Sequence, residues 1–134
     1  MNDIDLKNKS AIVTGGVQGF GLAIVNRFIQ SGARVVIWDK DKDLLAKLKI
    51  DNVEKIVVDI TDFDSVKNAY NDTITKVKNI DILVNNAGIA GPSHKTWEYP
   101  NEDWQNVLNI DVTGVFYCCK IVVPHMINNN YGRI

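Results

Sequence analysis

Short apolar runs that alternate with amphipathic segments are the feature that most constrains the fold of this chain. Apolar runs of about four to eight residues predict buried strands, whereas apolar residues at spacings of three and four predict helices. Strands that alternate with helices indicate βαβ units, which join into a parallel sheet through right-handed crossovers. The predicted strands are SAIVTG (10–15), ARVVIWD (33–39), VEKIVVD (53–59) and DILVNNAG (81–88).

Four helices are predicted between and after these strands. An amphipathic helix over 20–32 and a short charged helix over 40–49 precede a third helix, for which Thr61 fits the N-cap. A long helix, apolar over most of its surface, is expected from about Glu102 to Asn128, and GRI (132–134) has the character of a starting strand. The sequence therefore predicts the α/β class, with a Rossmann-like doubly wound parallel sheet of order 3-2-1-4 and a fifth strand only begun.

The stretch TGGVQGFG (14–21) lies between the first strand and the first helix. Glycine permits a tight turn and lets backbone N–H groups approach a pyrophosphate at the positive N-terminus of a helix. The spacing of Gly15, Gly19 and Gly21 is G-x-x-x-G-x-G rather than the general G-x-G-x-x-G, and no G-K-[ST] of a P-loop is present. The stretch therefore predicts a dinucleotide site at the switch point between strands 1 and 4, with glycines that only make a turn as the alternative.

Asp39 ends the second strand, eighteen residues after Gly21. A carboxylate at this place accepts hydrogen bonds from the diol of an adenosine ribose. It also disfavours a 2′-phosphate, because two like unit charges 4 Å apart repel by ~4 kcal/mol at an effective dielectric of 20. We therefore predict NAD as the cofactor, with NADP less favoured. Two alternatives stay open, a solvated loop aspartate and phosphate binding by Lys40 and Lys42.

Composition favours a cytoplasmic domain that binds neither nucleic acid nor membranes. Fifteen basic and sixteen acidic residues give a net charge of −1, without the basic excess that either partner requires. Residues 104–126 carry too many polar groups for a bilayer span, and the polar N-terminus predicts no secretory signal. The adjacent Cys118 and Cys119 are expected as buried free thiols, and His94 and His125 as surface residues without a metal.

Three motifs together resemble the classical type of the short-chain dehydrogenase/reductase family, which includes 3-oxoacyl-acyl-carrier-protein reductases. The motifs are TGGVQGFG, Asp59–Ile60 and NNAG (85–88), in the family's order and intervals. The resemblance implies that Asp59 contacts the adenine amino group, that Ile60 lies beside the ring and that Asn86 to Gly88 line the ribose side, whereas Asn85 is expected to be structural. The implied cofactor-binding residues are Gly15, Gln18, Gly19, Phe20, Gly21, Asp39, Asp59, Ile60, Asn86, Ala87 and Gly88.

The catalytic set of this family is Asn, Ser, Tyr and Lys, and one of these positions falls inside the chain. The Asn follows a Trp by seven residues, and Trp104 plus seven is Asp111. Asp111 is thus the catalytic candidate, with acceptance from local backbone donors as its alternative. No tyrosine is followed four residues later by lysine, so the Tyr-x-x-x-Lys is missing. For Trp97, Tyr99 and Trp104, packing is favoured over lining a substrate pocket.

Two functions remain open for residues 1–134. In the first, they are the N-terminal half of a longer NAD(P)-binding Rossmann domain, which transfers hydride between nicotinamide and an alcohol, carbonyl or acyl substrate, and they are inactive by themselves. In the second, they form a stand-alone nucleotide-binding or interaction module without catalysis. The resemblance also implies a homo-oligomer, because the long fourth helix of the family packs against a dimer partner.

Overall fold

The secondary structure alternates as the sequence predicts. The computed structural model describes residues 4–134, so residues 1–3 of the predicted 1–134 domain lie outside it. The strands are β1 (Ser10–Thr14), β2 (Arg34–Asp39), β3 (Val53–Val57) and β4 (Ile82–Val84). The helices are α1 (Gly19–Gln30), α2 (Lys42–Lys47), α3 (Phe63–Val77), α4 (Asn101–Leu108) and α5 (Val115–Asn128), with a short 3-10 turn at Thr96–Glu98 and a π-helical segment at Asn109–Gly114.

The four strands form one parallel sheet of order β3-β2-β1-β4, which confirms the predicted topology. In this register Ile12 of β1 lies between Val36 of β2 and Leu83 of β4. The fifth strand is present as a single parallel bridge between Ile82 and Arg133. The β1–β4 junction is therefore internal to the sheet, and the carboxyl ends of both strands open on the same side.

The sheet is covered on both faces because successive side chains of a strand point to opposite sides. Ile12, Val36 and Trp38 pack into one buried cluster with residues of α3 and α5. Val13 and Ile37, their neighbours in sequence, pack into the other cluster with Val25 of α1 and Leu45 of α2. This two-sided burial is the reason why β4 and the central positions of β1 and β2 are apolar.

Trp38 is fully buried, and its indole N–H has a specific partner. Its Nε1 donates to Thr73 Oγ1 of α3 at 3.0 Å, and the Thr73 hydroxyl donates in turn to the Ala69 carbonyl at 2.8 Å. The Trp38 indole therefore packs in the core at the end of β2. The bond also fixes the distance between α3 and the centre of the sheet.

Two of the predicted strands, those over 81–88 and 53–59, end earlier in the structure than predicted. The strand predicted over 81–88 ends at Val84, because the backbone N–H of Asn86 turns back to the Val84 carbonyl at 3.1 Å. The strand predicted over 53–59 ends at Val57, shortly before a turn in which Asp62 N donates to Asp59 O.

The N-cap of α3 also differs from the prediction. The cap is Asp62, whose Oδ1 accepts from the backbone of the first helical turn. Thr61 is wrong as the cap, since its N–H and hydroxyl are both bonded to the Asp59 carboxylate.

The long helix predicted from Glu102 to Asn128 is a 28-residue run that contains a π-helical segment. At its centre, a Cβ on Gly114 would lie 2.6 Å from the Ile60 side chain, so the helix lies directly on the turn that follows β3. Four of its apolar side chains are more than half exposed, namely Trp104, Val112, Phe116 and Ile127. Among residues 4–134, this run alone is long and apolar enough by length and composition to cross a bilayer, with a mean hydropathy of 1.5.

His125 is a further difference, because the sequence predicted a surface residue. The ring is half-buried at the end of α5, where Nε2 accepts the backbone N–H of Ile80 at 3.2 Å and Nδ1 lies 3.3 Å from the Tyr70 hydroxyl. Each ring nitrogen thus has a partner on a neighbouring segment, and the ring joins α5 to α3 and to the turn before β4. His94 is exposed, as expected.

We predict that Thr73→Val lowers the free energy of unfolding by about 1–3 kcal/mol, because it leaves the buried Trp38 N–H without an acceptor. Denaturant unfolding followed by circular dichroism measures the effect. Thr75→Val on the same helix is the matched control, since its hydroxyl is exposed and bonds only to the Asp72 carbonyl. Equal stability of the two variants would contradict the role assigned to Thr73.

Candidate cofactor cleft

The carboxyl ends of β1 and β4 are joined by the side chains of Thr14 and Asn86. Thr14 Oγ1 accepts the backbone N–H groups of Asn86 and Ala87, both at 3.0 Å, and donates to the Val84 carbonyl at 3.3 Å. Asn86 Nδ2 donates to the carbonyls of Thr14 and Gly15, each at 3.0 Å. The Asn86 amide is therefore committed to the protein backbone, where it fixes the start of the glycine-rich turn.

The glycine-rich turn has no room for side chains at two of its positions. A Cβ on Gly21 would overlap the Gly15 carbonyl oxygen and lie 2.5 Å from Asn86 Nδ2. Gly15 has a φ of +64°, and a Cβ there would lie 2.9 Å from the Ala87 Cα. The backbones of β1, α1 and the loop after β4 therefore meet in direct contact, as a surface that cradles a flat or extended ligand requires.

The N-terminus of α1 opens at this turn. Its N-cap residue, Gln18, is extended and makes no side-chain capping bond. Uncapped N–H groups and the positive end of the helix dipole make such a terminus suitable for the pyrophosphate of a dinucleotide. The backbone geometry of the turn therefore fits the group that the sequence predicted for it.

A cleft of about 450 Å³ lies along the carboxyl edge of the sheet. Ten of the eleven predicted cofactor residues line it, and Gly19, which lies on the turn with a φ of +56°, is the exception. Their assignment to a cofactor stays a prediction, but the fold brings them together. Trp38, which the sequence places beside Asp39, and Lys40, which it left open as a phosphate ligand, also line the cleft. The lining residues that the sequence did not indicate are Val58, Thr61, Ile89, Asn106 and Ile110.

The places of some of these residues at the cleft could have been predicted from the sequence, and those of others could not. Val58, Thr61 and Ile89 directly adjoin predicted residues, so their places follow from chain continuity. Asn106 and Ile110 are four residues apart on one helix, which places them on a common face. Which face of that helix meets the cleft depends on tertiary packing and is not encoded in the local pattern.

The Asp39 carboxylate is held at the mouth of the cleft by backbone donors. Its Oδ1 accepts from Asp41 N at 3.0 Å, and its Oδ2 lies 3.4 Å from the donating Val17 N–H of the glycine-rich turn. Asp39 is half-buried, and the neighbouring Lys40 is exposed at the edge of the same cleft. A fixed negative charge therefore lies next to the glycine-rich turn, with an exposed positive charge beside it.

Asp59 and Thr61 form a second polar group at the end of β3. Asp59 Oδ1 accepts from both the N–H and the hydroxyl of Thr61, at 2.9 and 2.7 Å. The Asp59 backbone N–H donates to Ser65 Oγ at 3.1 Å. The turn is thereby held rigid while the carboxylate stays exposed along the cleft.

Asp111, the catalytic candidate, makes a backbone contact and is not among the described residues that line the cleft. Its Oδ1 accepts the Ile89 N–H at 2.9 Å, which is the alternative that the sequence left open. A Cβ on Gly88 would lie 3.1 Å from the same oxygen, so Gly88 allows this close approach. Asp111 therefore holds the loop at Gly88–Ile89, which itself lines the cleft.

Of the two adjacent thiols that were expected to be buried, Cys118 is buried and Cys119 is only partly buried. Burial raises the pKa of the Cys118 thiol to about 12, with a further contribution from Cys119, so Cys118 stays protonated at neutral pH.

Trp97 is 80% exposed, which contradicts the packing that the sequence favoured for it. The Lys95 Nζ lies 5.5 Å from the centroid of the Trp97 ring.

Within residues 4–134, no group of three or more His, Cys, Asp or Glu side chains forms a metal site.

Asn85 has the structural environment that the sequence favoured for it. Its Nδ2 lies 3.5 Å from the Cys119 sulfur, between β4 and α5. Its Oδ1 is buried and has no hydrogen-bond partner in the described part of the chain. Neither atom of the amide takes part in the cleft.

Known proteins share both the sequence and the arrangement. The family model described as short chain dehydrogenase matches residues 9–134. A 2-dehydro-3-deoxy-L-rhamnonate dehydrogenase (NAD(+)) of Sphingomonas sp. strain SKA58 is 39% identical over 128 residues, with 94% of this chain and 51% of that protein covered. A 3-oxoacyl-[acyl-carrier-protein] reductase of Chlamydia pneumoniae is 35% identical, with 98% of this chain and 55% of that protein covered.

A solved structure has the same fold. The NAD+-bound xylitol dehydrogenase superposes with a TM-score of 0.89 at 31% identity, with 96% of this chain and 52% of that chain covered. The chain therefore belongs to the short-chain dehydrogenase family. It spans about half the length of the curated relatives that it matches.

We predict that Asp111→Ala speeds hydrogen exchange of the Ile89 amide about 3- to 10-fold, because the variant removes the acceptor of that N–H. Two-dimensional NMR of the amide exchange measures the effect. Asp111→Asn is the matched control, since its carboxamide oxygen accepts the same bond and should preserve the slow exchange. Exchange at Ile89 that is equally slow in both variants would disprove the positioning role.

Proposed function

We propose that the cleft binds NAD in preference to NADP. The observation that carries this proposal is the Asp39 carboxylate, which backbone N–H groups hold beside the glycine-rich turn. With the pyrophosphate at the N-terminus of α1, the adenosine ribose falls at the end of β2, where Asp39 accepts from its diol and repels a 2′-phosphate. Lys40 weakens this repulsion but is exposed, and its ammonium charge is therefore largely screened by solvent.

The proposed reaction is hydride transfer between the nicotinamide and an alcohol or carbonyl carbon of a small substrate. When bound, the cofactor supplies the hydride chemistry, and the described residues bind and orient it. The family relatives named above, which act on such substrates by their names, support the class of reaction. The 134 residues contain no Tyr-x-x-x-Lys to move the substrate proton, and we propose that they bind the cofactor without turnover.

We predict that Asp39→Ala lowers the affinity for NAD about 10-fold or more, because charge-assisted hydrogen bonds to the ribose are lost. The same variant should narrow the difference between the affinities for NAD and for NADP, since the repulsion of the 2′-phosphate disappears. Isothermal titration calorimetry with each cofactor measures both effects. Asp43→Ala is the matched control, because it removes the same charge from the first turn of α2, away from the cleft lining.

A homo-oligomer is also part of the proposal, with no nucleic-acid or membrane partner and a cytoplasmic location. Trp104, Val112, Phe116 and Ile127 expose apolar surface along one helical run, and such surface is typical of an interface. Association with a second copy explains this surface better than a bilayer does. Helix α5 also packs Cys118, Val122 and Met126 into the core, and a spanning helix would have to give up this burial.

We predict that Phe116→Asp shifts the chain toward the monomer, because a charged side chain would replace exposed apolar surface at the proposed interface. Sedimentation velocity over a concentration series measures the shift. Val57→Asp is the control, since Val57 is similarly exposed but lies on the edge strand β3 and not on the helical run. A wild-type chain that stays monomeric at every concentration would overturn the proposed self-association.

A further inference from the structure

Asn106 is a polar side chain of the cleft that neither the motifs nor the family resemblance indicates. It is exposed on α4 and lines the cleft together with Ile110, one helical turn further along. Within residues 4–134, its carboxamide makes no hydrogen bond, whereas Asn109 on the same run accepts from Gln105 Nε2 at 3.0 Å. Asn106 thus has its full hydrogen-bonding capacity available to whatever occupies the cleft.

The packing of the long helix brings Ile110, one helical turn from Asn106, against the buried cluster that contains Ile60. Gly114 of the same run lies against Ile60, where even a Cβ would come within 2.6 Å. The residues that follow β3, from Val58 to Thr61, line the cleft together with Ile110 and Asn106. A planar ring bound in this part of the cleft would have the apolar side chains of Ile60 and Ile110 beside it.

The polar groups that line this part of the cleft differ in the hydrogen bonds that they can form with such a ring. The Asp59 carboxylate only accepts hydrogen bonds, and the Thr61 hydroxyl is already bonded to it at 2.7 Å. The Asn106 carboxamide supplies one acceptor and one donor side by side. This pair matches an adenine edge, on which an amino group that donates lies next to a ring nitrogen that accepts.

We propose that Asn106 reads the adenine edge of the bound dinucleotide, with its oxygen accepting from the N6 amino group and its nitrogen donating to the adjacent ring nitrogen. This inference rests on the proposed function, because it concerns the base of the same NAD molecule. It assigns recognition of the base to two residues that line the cleft, Asp59 after β3 and Asn106 on α4. The base is thereby selected by a residue that the family motifs do not include.

The test is a set of calorimetric titrations of the 134-residue chain with NAD, nicotinamide mononucleotide and etheno-NAD, whose bridge blocks N1 and N6 of adenine. Asn106→Ala should lower the affinity for NAD about 3- to 10-fold, as expected for lost hydrogen bonds. It should leave the affinities for the mononucleotide and for etheno-NAD unchanged. Asn109→Ala is the matched control, because it alters a neighbouring asparagine of the same helical run that does not line the cleft.

The outcomes separate this inference from the proposed function. A lower ratio of the affinity for NAD to the affinity for etheno-NAD in Asn106→Ala, but not in Asn109→Ala, supports recognition of the base by Asn106. Unchanged NAD affinity in Asn106→Ala, with wild-type binding intact, overturns the inference and leaves the NAD site standing. Failure of the folded wild-type chain to bind NAD overturns both. Circular dichroism of each variant establishes that the fold is retained, which the exposure of Asn106 leads us to expect.

Discussion

The joint between β1 and β4 is the constraint on which the rest of the cleft depends. One hydroxyl, that of Thr14, and one carboxamide, that of Asn86, bond to five backbone groups where the two strands end. These bonds fix the Gly15 carbonyl, against which Gly21 and therefore the first turn of α1 are placed. Loss of either side chain would leave buried backbone groups without partners and would release the turn from the sheet.

The long helical run serves the core, the cleft and the exposed surface at once. Cys118, Val122 and Met126 fill the core, while Asn106 and Ile110 line the cleft. Asp111, between these two sets, holds the Gly88–Ile89 loop through a backbone hydrogen bond. A single helix thus links core packing to the shape of the cleft, which explains why its pattern in the sequence is apolar on more than one face.

The sequence predicted those features that local patterns encode. Strand order and the burial of Ile12, Val36 and Ile37 follow from alternation and crossover handedness, and the tightness at Gly15 and Gly21 follows from their spacing. Features set by tertiary contacts were missed. The half-burial of His125 depends on Ile80 and Tyr70, distant in sequence, and the cleft-facing side of Asn106 depends on where Gly114 meets Ile60. Thr61 and Asp62 are both good caps by type, so propensity could not choose between them.

The π-helical segment at Asn109–Gly114 sets the phase between the two halves of the long helix. A wider turn of this kind accommodates an extra residue, and one residue of an α-helix corresponds to a rotation of about 100°. Because the wider turn absorbs this extra residue, Cys118, Val122 and Met126 keep facing the sheet, whereas an insertion or deletion in the regular α-helix before them would rotate them by about 100°. Over evolutionary time, this segment is therefore the place in the long helix where one residue can be gained or lost while the core face of α5 is preserved.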